Sequence, residues 1–168
     1  MDALDSIADR VTLLHGSGDF RGSAIFAKVK HSQLRKLAMA MERVEYADGE
    51  RVVSIGEEGD ALYVIQSGEC SVDMDGIAGD AMTAGTSFGE LALITEDKKL
   101  TQRTATVAAV GDCVLLRMAA KKVRGILDSM WGGTPFTAAS AISAVSFVLG
   151  VLGVIGVLGV LAAAAAAS

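Results

Sequence analysis

Residues 88–94 read Phe88-Gly89-Glu90-Leu91-Ala92-Leu93-Ile94, and after a polar segment the chain continues Arg103-Thr104-Ala105-Thr106-Val107. Gly89 has no Cβ, so it lets a ligand approach the backbone closely. A helical turn that opens at Glu90 would direct the free backbone amides of Leu91 and Ala92 towards an anion. The first half of this stretch therefore predicts a phosphate site built from backbone groups.

Two charged side chains in the same stretch indicate what else the ligand carries. Glu90 repels phosphate but accepts hydrogen bonds, so it suits a ribose 2′-hydroxyl better than the anion. Arg103 enters a β-branched run typical of a strand and supplies a permanent positive charge in a planar fork that matches phosphate oxygens. Together they describe a site for a sugar phosphate. For an isolated pair, a surface salt bridge beside an ordinary glycine turn is the commoner arrangement.

A second, independent segment favours the ligand site. Residues 52–68 place glycines at turn positions around the apolar run 62–65 and close on Gly68. Taken with residues 88–107, this pattern resembles the cyclic-nucleotide-binding domain family. That family includes the regulatory modules of cAMP- and cGMP-dependent protein kinases, cyclic-nucleotide-gated channels and bacterial catabolite activators. The resemblance covers about residues 20–130.

The resemblance assigns a role to each residue of a phosphate-binding cassette. The matching positions are Gly89, Glu90, Leu91, Ala92 and Arg103. It implies that Glu90 holds the ribose 2′-hydroxyl, that Arg103 neutralises the cyclic phosphate, and that backbone amides near Ala92 complete the anion site. Residues 94–102 are longer than the usual loop of the family, and Gln102 stands where a proline often precedes the arginine. A longer loop costs little closure entropy, so the site tolerates it.

Thr104 bears on the choice of base. Family members with threonine here, notably cGMP-dependent kinases, use its hydroxyl to bond the guanine 2-amino group, whereas alanine accompanies cAMP. Threonine is also a good strand residue and occurs in some cAMP-responsive channels. The ligand that we expect is therefore cGMP, with cAMP as the alternative.

The order of elements predicts a mainly β fold with flanking helices: an eight-stranded jelly-roll-like β-barrel of the cyclic-nucleotide-binding type, plus an apolar C-terminal helix. Apolar residues at helical spacing in residues 24–43 predict helices under the barrel, with Ser32 as a cap. Asp48-Gly49 is a hairpin signal. Short strands are expected around Val52, Tyr63, Val72 and Met82 and over residues 104–110 and 114–118. A helix is expected over residues 119–130, with Val123, Ile126 and Leu127 facing inward.

Three parts follow from the pattern along the chain. Residues 1–18 form an N-terminal amphipathic docking helix, residues 19–130 the cyclic-nucleotide-binding domain, and residues 131–168 an apolar low-complexity tail. Residues 141–167 would span about 40 Å as a helix, enough to cross a hydrocarbon core of ~30 Å. The tail is therefore a candidate membrane anchor for a cytoplasmic domain. Because glycine recurs every three residues from Gly150 to Gly159, low-complexity sequence from an erroneous reading frame and a soluble packed helix stay open as alternatives.

Several function classes are excluded by composition. The net charge of −5 over 168 residues argues against a nucleic-acid surface. The only histidines, His15 and His31, lie outside the predicted strands, which excludes a metal-dependent jelly-roll enzyme. Cys70 and Cys113 are expected as small buried hydrophobes. With no nucleophile, general base or metal constellation, we expect a non-enzymatic domain without catalytic or metal-binding residues.

We therefore expect a sensor that binds cGMP or cAMP and needs no other cofactor. Nucleotide binding would shift the helices around the barrel and relay occupancy to a partner such as a protein kinase catalytic domain. The alternative is a degenerate domain that keeps the fold, has lost the ligand and acts as an interaction scaffold.

Overall fold

The computed structural model describes residues 6–15, 26, 29–89 and 102–128. Three helices and seven strands lie in these residues. The helices are α1 (Ile7–His15), α2 (His31–Ala40) and α3 (Ala120–Asp128). The strands are β1 (Glu42–Tyr46), β2 (Arg51–Val53), β3 (Ala61–Met74), β4 (Ile77–Ala78), β5 (Met82–Thr83), β6 (Ser87–Phe88) and β7 (Thr106–Ala119).

Two long strands organise the antiparallel sheet. β3 and β7 have 14 residues each and pair with one another from Ala61↔Ala119 to Asp73↔Thr106. β1 and β2 pair with the other edge of β7, and β4, β5 and β6 pair with the other edge of β3. The strand β6, which leads into Gly89, therefore lies beside the start of β3.

Alternation along β3 and β7 produces two apolar clusters, one on each face of the sheet, because successive side chains of a strand point to opposite faces. The first cluster joins the sheet to α1, α2 and α3, and its sheet members are Leu62, Val64, Leu116 and Met118. The second cluster lies on the opposite face and includes Ala61, Tyr63, Ile65, Cys70, Phe88, Val107, Ala109, Cys113 and Leu115. Gly89 and Arg103 adjoin the second cluster, and the helices cover the first.

The strands are longer and fewer than the sequence predicts. The predicted strands around Tyr63 and Val72 are both part of β3. The predicted strands 104–110 and 114–118 are both part of β7, which begins at Thr106. Gly68 and Gly111, which suggest breaks, both have positive φ and lie where the β3–β7 register shifts, so they form a bulge within a continuous ladder. The described residues form a seven-stranded sheet, so the eight strands of the prediction are not confirmed.

The predicted hairpin at Asp48-Gly49 is wrong. β1 and β2, on either side of this turn, do not pair with each other, and both run antiparallel to β7. The amide of Gly49 donates to the Ala109 carbonyl, and the Gly111 amide donates to Oδ1 of Asp48 at 2.7 Å. The turn therefore interrupts the edge formed by β1 and β2 without reversing the direction of the chain. It lies opposite the bulge of β7.

The helices pack as a layer on the first cluster. Val11, Leu13 and Leu14 of α1 are buried there, so this helix packs on its own domain. Nη1 of Arg10 donates to the Met41 carbonyl at 3.1 Å, just beyond the end of α2. α2 begins after Lys30 without a side-chain cap bond, and Ser32 lies inside the helix, so the predicted Ser32 cap is wrong.

α3 follows β7 where the sequence predicts a helix. Val123 is fully buried and Ile126 packs on the same cluster, as expected, whereas the side chain of Leu127 lies outside the described part. Across residues 6–15, 31–40 and 120–128, no helix combines the length and apolar character that a membrane span requires. The tail of residues 131–168, and with it the predicted apolar C-terminal helix and membrane anchor, lies outside the described residues.

Candidate functional site

The two ends of the predicted cassette meet in space. β6 pairs with β3 through Tyr63↔Phe88, which places Gly89 next to the start of β3. Gly89 has a φ of +88°, a conformation that glycine adopts at no steric cost. A Cβ at this position would lie 2.5 Å from Nη1 of Arg103 and 2.6 Å from the Ala61 carbonyl oxygen. Only glycine fits between the arginine and the strand.

The backbone of Arg103 is fixed by the loop that precedes β3. Its amide donates to the Glu57 carbonyl at 2.8 Å, and its carbonyl accepts from the Gly56 amide at 2.8 Å. Glu58 and Gln102 form an isolated antiparallel bridge beside them. The return of the chain from the long loop is therefore anchored by hydrogen bonds, although Gln102 replaces the proline expected from the family pattern.

The side chain of Arg103 is buried, with 9% of its surface exposed. Its Nη2 donates to the Ala61 carbonyl at 3.0 Å, and its guanidinium carbon lies 5.7 Å from the centroid of the Tyr63 ring. An arginine keeps its charge in proteins, and a buried charge is costly unless other groups satisfy it. The site therefore holds a permanent cation in a region with little water, which suits an anionic ligand.

The Tyr63 ring under this guanidinium belongs to an aromatic pair. The rings of Tyr63 and Phe88 are stacked, with centroids 5.1 Å apart and planes 10° from parallel. Across the sheet, Tyr63 pairs in register with Arg117 of β7. The neighbouring Tyr63 side chain is the largest reason that the pKa of Arg117 is raised. Nη2 of Arg117 also lies 3.2 Å from Oδ2 of Asp60.

Sequence reasoning missed Tyr63, Phe88 and Arg117. Tyr63 lies within the apolar run of residues 62–65, which by itself predicts only a strand. The available signal was the period of two, which places Tyr63 on the face opposite Leu62 and Val64. The pairing of β3 with β6 and β7 could not be inferred from that signal.

The other predicted site residues divide into two groups. Thr104 follows Arg103 directly and is exposed, so its hydroxyl is accessible to a ligand. Glu90, Leu91 and Ala92 lie outside the described residues. The structure thus brings Gly89 and Arg103 into contact, and the ligand-binding roles of all six residues stay predictions.

The titratable groups elsewhere do not form a metal site within the part of the chain that the structure describes, where no three His, Cys, Asp or Glu side chains cluster. Cys70 and Cys113 are free thiols, buried in the second cluster, with their sulfur atoms 3.5 Å apart. Burial raises the pKa of Cys70 from 9.0 to about 12 and also raises that of Cys113. Both are protonated core residues at neutral pH.

Comparison with known proteins identifies relatives of this chain. The family model described as cyclic nucleotide-binding domain matches residues 43–130. The cAMP-dependent protein kinase regulatory subunit of Yarrowia lipolytica is 31% identical over 103 residues, which cover 61% of this chain and 26% of the relative. The match therefore spans about a quarter of the length of that relative.

Solved structures show the same fold. The co-crystal structure of the regulatory domain of Toxoplasma gondii PKA with cAMP superposes with a TM-score of 0.60 at 26% identity, covering 73% of this chain and 46% of that one. A mutant regulatory subunit of a cAMP-independent protein kinase A from Trypanosoma brucei, bound to cAMP in the A site, gives a TM-score of 0.64 at 25% identity. That match covers 77% of this chain and 45% of the other.

Proposed function

Because this chain belongs to the cyclic nucleotide-binding domain family, we propose that it is a sensor that binds cGMP or cAMP through its phosphate-binding cassette. The cassette consists of Gly89, Glu90, Leu91, Ala92 and Arg103, with Thr104 beside the base. The observation that carries the proposal is the buried guanidinium of Arg103, which lies against Gly89 at 9% exposure. A cation held there is an appropriate partner for a cyclic phosphate.

The proposed chemistry is charge neutralisation in a poorly hydrated site. Coulomb attraction strengthens as the local dielectric falls, so a buried guanidinium attracts phosphate more strongly than an exposed one. Each charge-assisted hydrogen bond contributes about 1.5–3 kcal/mol. Glu90 would accept a hydrogen bond from the ribose 2′-hydroxyl, and the amides of Leu91 and Ala92 would complete the anion site.

The choice of base rests on two opposing observations. Thr104 is exposed beside Arg103, and its hydroxyl suits the guanine amino group, which supports cGMP. The names of the relatives mention cAMP, which supports the other nucleotide. We propose cGMP as the preferred ligand and cAMP as its competitor.

We propose that occupancy of the site is relayed to a protein kinase catalytic domain, as the name of the Yarrowia lipolytica relative suggests. One short segment connects the site with the helical layer. The Ala61 carbonyl accepts from Arg103, and the adjacent Asp60 carbonyl accepts from the amide of Ala120, the first residue of α3, at 2.8 Å. A ligand that moves Arg103 would thus act on the segment that holds the start of α3.

The alternative is a domain that has kept the fold and lost its cyclic-nucleotide ligand, acting as an interaction scaffold. This alternative is supported by the Trypanosoma brucei structure. That protein is the regulatory subunit of a kinase described as cAMP-independent, and the structure with bound cAMP is of a mutant. The described residues Gly89 and Arg103 are both present and adjacent, which favours the sensor.

Isothermal titration of the full chain with cGMP and with cAMP tests this proposal. Saturable binding of either nucleotide with one site per chain is the expected result. Matched titrations with 5′-AMP and 5′-GMP control for binding of any nucleotide monophosphate. A folded chain that binds neither cyclic nucleotide, or binds the linear ones equally, would favour the scaffold.

A further inference from the structure

Tyr63 occupies the centre of the site without belonging to the cassette motif. Strand pairing places it opposite Phe88 on one side and opposite Arg117 on the other. Its ring stacks on Phe88, and the guanidinium of Arg103 lies over it at 5.7 Å. One side chain therefore contacts Phe88, which precedes the cassette, and Arg103 within it, and lies opposite a second arginine.

The Tyr63 ring and the Arg103 guanidinium are close enough for a cation–π contact. A guanidinium within ~6 Å of an aromatic centroid is attracted by the ring quadrupole, and the attraction grows when both partners are desolvated. Here Tyr63 is 6% exposed and Arg103 is 9% exposed, so water screens the contact weakly. The hydrogen bond to Ala61 fixes one nitrogen of the guanidinium. The Tyr63 ring lies against the same group.

The ring is itself held in place. Stacking on Phe88 fixes one face of the ring, and strand pairing with β7 places Tyr63 in register with Arg117. The ion pairs of Arg117 with Asp60 and Glu42 involve carboxylates that are 69% exposed, so they contribute little. The position of Tyr63 is thus set by the aromatic stack and by the pairing of β3 with β6 and β7.

We propose that Tyr63 is a positioning residue: its ring, stacked on Phe88, holds the Arg103 guanidinium in the orientation that receives the phosphate of the ligand. The inference rests on the proposed function and adds a residue outside the Gly-Glu…Arg motif. Tyr63 acts through Arg103 and makes no contact with the ligand in this role. A preorganised cation binds more tightly because less freedom is lost on binding.

A double-mutant cycle on the full chain tests this role. Affinity for cAMP and cGMP is measured by titration for the wild type, Tyr63→Leu, Arg103→Ala and the double variant. We expect Tyr63→Leu to weaken binding roughly three- to thirtyfold, the range that a cation–π contact gives. In the Arg103→Ala background, the same change should alter affinity less than about twofold, because the group that Tyr63 positions is gone. Equal losses in both backgrounds would overturn the positioning role.

Ring chemistry provides a second test that keeps the shape of the core. Tyr63→Phe removes the hydroxyl and keeps the ring, so affinity should stay within about threefold of wild type. Replacement of Tyr63 by pentafluorophenylalanine keeps the size of phenylalanine and reverses the ring quadrupole, so affinity should fall well below that of Tyr63→Phe. Thermal unfolding of each variant shows whether the fold is intact. Equal affinity of the two ring variants would overturn the proposal even if Tyr63→Leu does not fold.

The outcomes separate this inference from the proposed function. A wild-type chain that binds neither nucleotide overturns both. A wild-type chain that binds, with additive losses in the cycle, overturns only the role of Tyr63.

Discussion

The guanidinium of Arg103 packs directly against the backbone of Gly89, so that a Cβ at position 89 would lie 2.5 Å from Nη1. Fourteen positions apart in sequence, the two residues are brought together by the β3–β6 pairing and by the hydrogen bonds of the Arg103 backbone to residues 56 and 57. The glycine and the arginine of the cassette are therefore one structural unit, and a change in either should affect the other.

Gly89→Ala should damage both stability and binding. The positive φ of +88° strains any other residue, and the added Cβ meets Arg103 and the Ala61 carbonyl. We expect a loss of at least about 1–3 kcal/mol in the free energy of unfolding from the backbone alone. Weaker nucleotide binding should accompany it, because Arg103 must move. Urea unfolding and titration measure the two effects.

Gly76→Ala is the matched control for this change. Gly76 has a similar φ of +85°, and a Cβ there meets nothing within 4 Å. It should therefore show the backbone strain alone and bind nucleotide normally. If the two variants lose stability equally and both bind like wild type, the close packing of Gly89 and Arg103 has no role in the site.

Arg103→Ala should weaken binding of either cyclic nucleotide at least tenfold. Charge-assisted hydrogen bonds to phosphate contribute about 1.5–3 kcal/mol each, and ~1.4 kcal/mol corresponds to a factor of ten. Arg35→Ala, which removes an exposed arginine of α2, should leave the affinity unchanged. Unchanged affinity in a folded Arg103→Ala variant would mean that Arg103 does not receive the phosphate.

Thr104→Ala should separate the two nucleotides. Loss of the hydroxyl removes one hydrogen bond to the guanine amino group, so cGMP binding should weaken by about 0.5–1.5 kcal/mol while cAMP binding changes little. Competition titrations with both nucleotides on the same preparation measure the difference. Parallel losses for cGMP and cAMP would assign Thr104 a structural role only.

Gly89 and Arg103 could be singled out from the sequence because their properties depend on local chemistry. Gly89 must allow close approach whatever surrounds it, and Arg103 carries its charge in any fold. Tyr63 and Arg117 could not be predicted as site residues because only strand register brings them to the site. Register pairs residues that are far apart in the chain. A one-residue shift in that register would turn Tyr63 to the helical face.

In the fold, too, local features can be predicted from the sequence and features that depend on strand register cannot. The apolar run of residues 62–65 and the helical spacing of residues 120–128 are short-range patterns, and a strand and a helix form there. The strand is longer than predicted, from Ala61 to Met74. Gly68 and Gly111 look like strand ends because glycine usually interrupts strands. In the structure they lie at the register shifts of β3 and β7, and the ladder continues past them. Asp48-Gly49 likewise makes a turn without reversing the chain.

The buried thiols of Cys70 and Cys113 predict a specific loss of stability in alkaline solution. Burial raises the pKa of Cys70 from 9.0 to about 12 and raises that of Cys113 as well. Between these values the unfolded chain releases the thiol protons and the folded chain keeps them, so the folded state binds more protons and stability falls as pH rises. The contribution is complete below pH 9 and decreases above it. Urea unfolding of the wild type at pH 8, 9 and 10 should show this decrease in the free energy of unfolding.

The double variant Cys70→Ala/Cys113→Ala should show a smaller decrease with pH. Its remaining slope comes from other groups such as Tyr46, whose pKa is also raised by burial. Parallel curves for the two proteins would show that the thiols ionise equally well in the folded and unfolded chains.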